Sequence, residues 1–171
     1  MTPSELGRLL GGAGVDDVLV VGFVYGSEQP PCFHALYRTF FFECRGTLLR
    51  LSVLGDTGRM LVSKSEAVSC DADLDDDMQP AYSSVRQAVL DDSDGPNRLA
   101  FVHLWDVRDV AGGIECSAAR FDLANGQKVF VDPSYHFGIR LGGVEQQSVW
   151  LENSSRRVQG RVEIDVSKAQ D

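Results

Sequence analysis

Short apolar runs separated by turn residues recur along most of this 171-residue chain, and this pattern constrains the fold more than any other feature. The run at 17–25 (DVLVVGFVY) is nearly continuous in β-branched and aromatic residues, which is typical of a strand in the middle of a sheet. The run at 47–54 (TLLRLSVL) alternates apolar residues with arginine and serine, as a half-buried strand does. Runs of this length and composition predict β-strands.

The order of these runs predicts antiparallel pairing. In the first half, short turns join strand-like segments, which lie at 17–25, 33–42, 47–54 and 59–68. Successive strands with short connections are typical of an antiparallel meander. In the second half we predict strands at 98–108, 135–141, 146–151 and 161–166, and a hairpin that involves the segments 114–123 and 124–131. Asn125-Gly126 is the strongest hairpin signal because both residues tolerate positive φ.

Two segments predict helices. Thr2 suits an N-cap, Pro3 suits the first helical position and Glu5 completes a capping box, so a short helix should begin the chain. A second helix is predicted in the middle of the chain, beginning near Pro80, because apolar residues recur there at helical spacing through Val89. The predicted fold class is therefore α+β and mainly antiparallel β. We expect about nine to ten strands in meander or hairpin order, forming a curved sheet or a partly closed sandwich or barrel, within a single domain over 1–171.

Charge limits the partners that this chain can attract. Twenty-five acidic residues against sixteen lysines and arginines give a formal charge of −9. This charge repels nucleic acids and anionic membranes and favours a basic protein. No apolar run approaches the roughly 20 residues that cross a bilayer, the first residues lack the features of a secretory signal, and the four cysteines have no CxxC spacing. We expect reduced thiols and a cytoplasmic location.

The most acidic segment, 71–77 (DADLDDD), invites comparison with a calcium loop. Asp71, Asp73 and Asp75 have the spacing of the first three ligand positions of an EF-hand. The match fails because Asp76 stands where that loop needs glycine and Tyr82 stands where it needs a bidentate glutamate. We therefore expect no calcium site here, and two interpretations stay open: a solvated loop at the start of a helix, or a contact surface for a basic partner.

The histidines do not form a recognisable ligand motif. His34, His103 and His136 are far apart in the sequence, and the single Cys32-x-His34 pair does not make a tetrahedral site. No nucleophile elbow, Walker loop or other catalytic signature is present. The sequence thus predicts no metal and no cofactor, and it favours a binding protein over an enzyme.

The function predicted from these observations is a small acidic protein that neutralises or holds a basic protein partner. In size and charge it is similar to the small cytosolic inhibitors that confer immunity to a toxin. The predicted contact residues are aspartates on either side of the expected mid-chain helix, where they would form one acidic patch: Asp71, Asp73, Asp75, Asp76, Asp77, Asp91, Asp92 and Asp94.

Three other functions stay open at this stage. The first is a small-molecule-binding or catalytic β-rich domain with a pocket around His103, Trp105, Tyr135 and His136. The second is a protein resembling a secretion chaperone. The third is a structural homodimer joined along an exposed strand edge.

Overall fold

A computed structural model describes residues 1–93, 95–154, 158 and 160–167 of the chain. These residues form twelve strands and three short helices, which follow one another in this order: α1 (Pro3–Leu10), β1 (Asp17–Tyr25), β2 (Phe33–Cys44), β3 (Thr47–Val53), β4 (Met60–Ser65), β5 (Met78–Ser84), α2 (Arg86–Val89), β6 (Leu99–Trp105), β7 (Arg108–Val110), β8 (Gly113–Cys116), β9 (Ala118–Leu123), β10 (Lys128–Tyr135), β11 (Gly138–Gly142), α3 (Val144–Ser154) and β12 (Arg161–Asp165). None of the described helices is long and apolar enough to cross a bilayer.

The strands form two open antiparallel sheets. The first has seven strands in the order β5-β1-β2-β3-β4-β8-β7, and the second has five in the order β11-β10-β9-β6-β12. The predicted meander is confirmed by the antiparallel pairs β1 with β2, β2 with β3 and β3 with β4. The mainly antiparallel α+β class is confirmed as well, and the sheets do not close into a barrel.

The main core contains residues from both sheets. Phe42 of β2 and Phe121 of β9 are almost fully buried, and their ring centroids lie 4.8 Å apart. Alternate residues of the same strands point to the outer faces, as the two-residue period of a strand requires. On the outer face of the second sheet, Trp105 and Phe130 pack against Trp150 of α3. On the outer face of the first sheet, a smaller cluster forms around Phe41.

The local signals at the first helix and at the hairpin are confirmed. The Glu5 N–H donates to Thr2 Oγ1 at 3.2 Å, and the Thr2 N–H donates to Glu5 Oε2 at 2.7 Å, which completes the capping box. At the turn between β9 and β10, Gly126 has φ of 90°, in the region that favours glycine.

The predicted mid-chain helix is wrong over most of its length. Residues 78–84 form strand β5, which pairs with β1 so that Tyr82 lies opposite Val21, and only Arg86–Val89 are helical. Pro80 and two serines are weak helix formers, and β1 offers this segment a row of backbone donors and acceptors. Pairing with a distant strand therefore overrides the local periodicity.

The predicted strand at 146–151 is also wrong. These residues lie within helix α3, which packs beside β10 and β11 and buries Trp150. A short apolar run does not distinguish a strand from a helix by itself. One face of this helix covers the apolar surfaces of Trp105 and Phe130, which are buried beneath it.

Candidate functional site

The strand at one end of the seven-stranded sheet, with the loop that leads into it, forms the candidate site. We call this surface the acidic edge and define it as loop 71–77 together with strand β5. The strand is last in its sheet and pairs only with β1 among the described strands, so its other side carries unpaired backbone donors and acceptors. The loop joins the strand directly, since Asp77 precedes Met78.

Strand β5 lacks the charged side chains that usually protect a sheet edge. Its sequence MQPAYSS contains no charged residue, whereas β12, a free edge of the other sheet, has RVEID with three charges in five positions. Charged side chains on an edge strand discourage pairing with another chain. Proline also discourages pairing, because it has no backbone N–H to donate, and β5 contains one proline, Pro80. Strand β5 is therefore better suited than β12 to pairing with a partner.

Tyr82 adds an aromatic side chain to this edge. It is 61% exposed, although a tyrosine ring carries a large apolar surface. Tyrosine is one of the residues that contribute most to the free energy of binding at protein interfaces. An exposed tyrosine on an edge strand has the composition of a contact surface.

The carboxylates of the acidic loop are available to a partner. Asp73, Asp75, Asp76 and Asp77 are exposed, and none of them forms an ion pair with another residue that the structure describes. Asp71 differs, because it forms an ion pair with Arg50 of β3. The loop is shaped by its backbone: the Asp75 carbonyl accepts from the Met78 N–H and the Asp77 carbonyl accepts from the Gly26 N–H, both at 2.9 Å.

The second group of predicted contact residues lies elsewhere. At about 3.3 Å per residue, the seven residues of β5 span about 20 Å and separate the acidic loop from Asp91 and Asp92. The single patch expected from a helix with aspartates at both ends is thus not formed. Asp94 lies outside the described residues.

The carboxylates of Asp91 and Asp92 also accept hydrogen bonds from other groups of this chain. The carboxylate of Asp92 accepts from both Nη atoms of Arg86, at 2.6 and 2.7 Å, and from Asn97 Nδ2 at 2.6 Å. Asp91 accepts a hydrogen bond from the backbone N–H of Ser93, which lowers the pKa of the Asp91 carboxyl. Such contacts are typical of a structural turn.

The alternative pocket was predicted around four residues, and the structure divides them between two places. His103 and Trp105 lie on the outer face of the five-stranded sheet, near helix α3. Tyr135 and His136 lie at the connection between β10 and β11 and line a cavity of about 370 Å³ that neither His103 nor Trp105 reaches. The four side chains therefore do not surround one cavity.

His103 belongs to a buried polar network. Its Nε2 lies 3.0 Å from Asp122 Oδ2, and its Nδ1 lies 3.4 Å from Glu163 Oε2 without the alignment of a hydrogen bond. Arg120 binds Asp122 through two hydrogen bonds, at 2.6 and 2.8 Å, and donates to Gln147 Oε1 of α3 at 2.9 Å. Burial, followed by the positive charge of Arg120, lowers the pKa of His103.

This network ties the helix to the sheet. Arg120 lies on β9 and Gln147 on α3, so the hydrogen bond between them anchors α3 beside the aromatic cluster of Trp105, Phe130 and Trp150. The neutral form of His103 is favoured there, and the ring is only 3% exposed. These features describe a structural histidine better than a catalytic one.

The sequence did not indicate that residues 78–84 form an edge strand or that Tyr82 is exposed on it. Its only available signal was the presence of Pro80 and two serines in a segment assigned to a helix. A comparison with protein family models, with curated proteins and with solved structures finds no match to this chain. The function is therefore inferred from the acidic edge itself.

Proposed function

We propose that this protein binds a basic protein partner, and that the acidic edge is the contact surface. The observation that carries the proposal is that two features adjoin: an uncharged edge strand, whose side away from β1 has no partner strand among the described residues, and a loop with four exposed carboxylates that lack ion pairs among those residues. The strand favours an extended segment of a partner, and the loop favours a partner with basic side chains.

The strand supplies affinity. An extended segment of the partner adds to the free side of β5, so that backbone donors and acceptors of the two chains pair as they do within a sheet. Tyr82 packs against a side chain of the added segment and removes apolar surface from water. This mode needs an extended partner segment without proline at the pairing positions.

The loop supplies selectivity and speed. Four carboxylates in a short loop attract lysine and arginine side chains, and in a chain of net charge −9 they are part of a negative field that steers a basic partner toward the edge. Such steering weakens as salt increases because the Debye length falls to about 8 Å at physiological ionic strength. The same net charge opposes pairing of β5 with a second copy of this chain.

The most concrete form of this function is inhibition of a toxin, as an immunity protein performs it. A small acidic protein that covers a basic surface of an enzyme blocks access to that surface without chemistry of its own. This assignment rests on charge, size and the character of the acidic edge. It would make the partner a basic enzyme whose activity is lost on binding.

The proposal is tested with two charge variants that remove the same amount of charge. The first replaces Asp75, Asp76 and Asp77 by asparagine. The control replaces carboxylates elsewhere on the surface, as Asp109→Asn, Glu145→Gln and Asp56→Asn. Both variants are used as bait beside the wild type in a native lysate, at low and at physiological salt. We expect one basic protein to be retained by the wild type and the control and lost or weakened with the loop variant.

A second pair of variants tests the strand. Tyr82→Lys places a positive charge on β5 and should abolish retention of the basic protein, whereas Tyr82→Phe keeps the ring and should preserve it. Retention that is unaffected by the loop variant and by Tyr82→Lys would contradict the proposal. A doubled mass of the purified protein, lost in Tyr82→Lys, would replace it with a homodimer joined through β5.

A further inference from the structure

Three side chains with metal-binding atoms meet at the turn between β1 and β2. Glu28, Cys32 and His34 each offer one ligand atom, and these atoms all lie within 4.8 Å of one another. We propose that this cluster binds a divalent transition metal of the zinc class, with a carboxylate oxygen, a thiolate sulfur and an imidazole nitrogen as ligands. We call it the turn cluster.

The donor set fits this class of metal. Zinc accepts cysteine sulfur, histidine nitrogen and carboxylate oxygen together, whereas calcium and magnesium take oxygen ligands. Three protein ligands leave one position of a tetrahedral site open to water or to a side chain of a partner. Coordination releases the thiol proton of Cys32 into solvent, since the thiolate is the ligand.

The turn holds the three groups together before any metal arrives. Glu28 Oε2 accepts from the Cys32 backbone N–H at 3.3 Å and lies 3.2 Å from His34 Nε2. The same carboxylate therefore contacts both of its neighbours in the cluster. Pro30 and Pro31 fix their own φ angles within the turn and reduce the number of conformations that it can adopt.

The histidine ring is oriented by aromatic contacts. His34 stacks on Phe23, with ring centroids 5.1 Å apart and an angle of 14° between the planes, and it meets the ring of Tyr25 edge-on at 5.2 Å. These contacts turn Nε2 toward Glu28 rather than away from it. A ligand whose ring is already fixed loses little conformational freedom on binding.

The location favours a cation and leaves the cluster accessible. The Gly26 N–H donates to the Asp77 carbonyl, so the turn is joined to the acidic loop, whose carboxylates add to the negative potential. Cys32 is exposed, and the side chains of Glu28 and His34 are about one-third exposed. A metal ion can therefore enter from solvent without rearrangement of the core.

The sequence contained only part of this cluster. The pair Cys32-x-His34 is visible in the chain, but it supplies two ligands. Glu28 becomes the third because the turn folds it back over the start of β2. The proposal therefore departs from the expectation of no metal site, because the turn brings Glu28 beside this pair.

The test uses Co²⁺ as a spectroscopic probe, added to the full chain under metal-free reducing conditions, and then Zn²⁺ as a competitor. We expect one equivalent of Co²⁺ to produce visible bands of a tetrahedral site with a thiolate-to-metal charge-transfer band, and we expect Zn²⁺ to displace it. Cys32→Ser should remove the charge-transfer band. His34→Asn and Glu28→Gln should each weaken Co²⁺ binding at least about tenfold.

Matched controls keep the result interpretable. Cys70→Ser removes another partly accessible thiol, and His136→Asn removes an exposed histidine outside the turn, so both should bind Co²⁺ as the wild type does. Far-UV circular dichroism checks that each variant is folded. Absence of the charge-transfer band in the wild type, or equal binding by Cys32→Ser, would overturn the proposal. Unchanged affinity in Glu28→Gln would also overturn it, because the three-ligand site would then be wrong.

Discussion

Trp150 provides a quantitative test of the arrangement of helix α3 on the five-stranded sheet. Its side chain is 3% exposed and packs on Trp105 and Phe130, with ring centroids 5.7 and 5.6 Å apart. Burial of roughly 200 Å² at about 25 cal/mol per Å² is worth about 5 kcal/mol. Measured costs of truncating a buried tryptophan to alanine are about 3–5 kcal/mol. Trp150→Ala should therefore lower the free energy of unfolding by about 3–5 kcal/mol.

The loss is measured by urea unfolding followed by far-UV circular dichroism, because the substitution changes the tryptophan fluorescence itself. A domain of this size loses about 2–4 °C in Tm per kcal/mol, so Tm should fall by about 6–20 °C. Val149→Ala is the matched control, since Val149 is the neighbouring residue and is 50% exposed. A loss below about 1 kcal/mol in Trp150→Ala, or an equal loss in Val149→Ala, would refute the packing of α3 on this sheet.

Three further predictions concern the pH dependence, the thiols and the first helix. Because the folded protein favours neutral His103, stability should be full above pH of about 6.5 and decline as pH falls below it, and this decline should be smaller in His103→Asn when urea unfolding is compared between pH 7 and 5. A thiol reagent such as Ellman's reagent should label Cys32 in the native protein. It should reach Cys44 and Cys116 only after unfolding, because burial raises the pKa of each of those thiols to about 12. Thr2→Ala removes the N-cap and should cost about 1 kcal/mol, and Thr2→Ser, which keeps the hydroxyl, should restore most of it in the same unfolding assay.

The parts of the fold that were predictable are those governed by local chemistry. The alternation at 47–54 identifies β3, and the capping box identifies the start of α1. The hairpin at Asn125-Gly126 depends on the backbone freedom of two adjacent residues. Each of these signals acts within a few residues, so the sequence alone contains it.

The two wrong secondary-structure predictions concern segments whose local pattern favours one structure while contacts with distant residues favour another. Residues 78–84 have a weak helical period, but the edge of β1 satisfies their backbone groups more completely. Residues 146–151 have strand-like composition, but they lie above an aromatic cluster that one side of a helix can cover. In both cases a contact with residues that are distant in the chain overrides a modest local preference.

The candidate sites also combine features that are visible in the sequence with features that depend on long-range contacts. The charge of loop 71–77 and the pair Cys32-x-His34 were visible in the chain. The free edge of β5 was not visible, because the sequence does not show which strands pair, and among the described strands β5 pairs only with β1. The place of Glu28 in the turn cluster was not visible either, because it depends on the path of a turn.

The sequence by itself determined the sign of the charge, the abundance of short strands and the antiparallel order of the first four, because these properties depend on composition and on residues close together in the chain. The tertiary structure alone decided which strands are edges, which face of each sheet is covered and which carboxylates lack an ion pair among the described residues. The physical reason is that a strand obtains its hydrogen-bond partners from distant parts of the chain, whereas a helix forms them within four residues. In a protein made mainly of strands, the proposed contact surface therefore depends on how the sheets assemble.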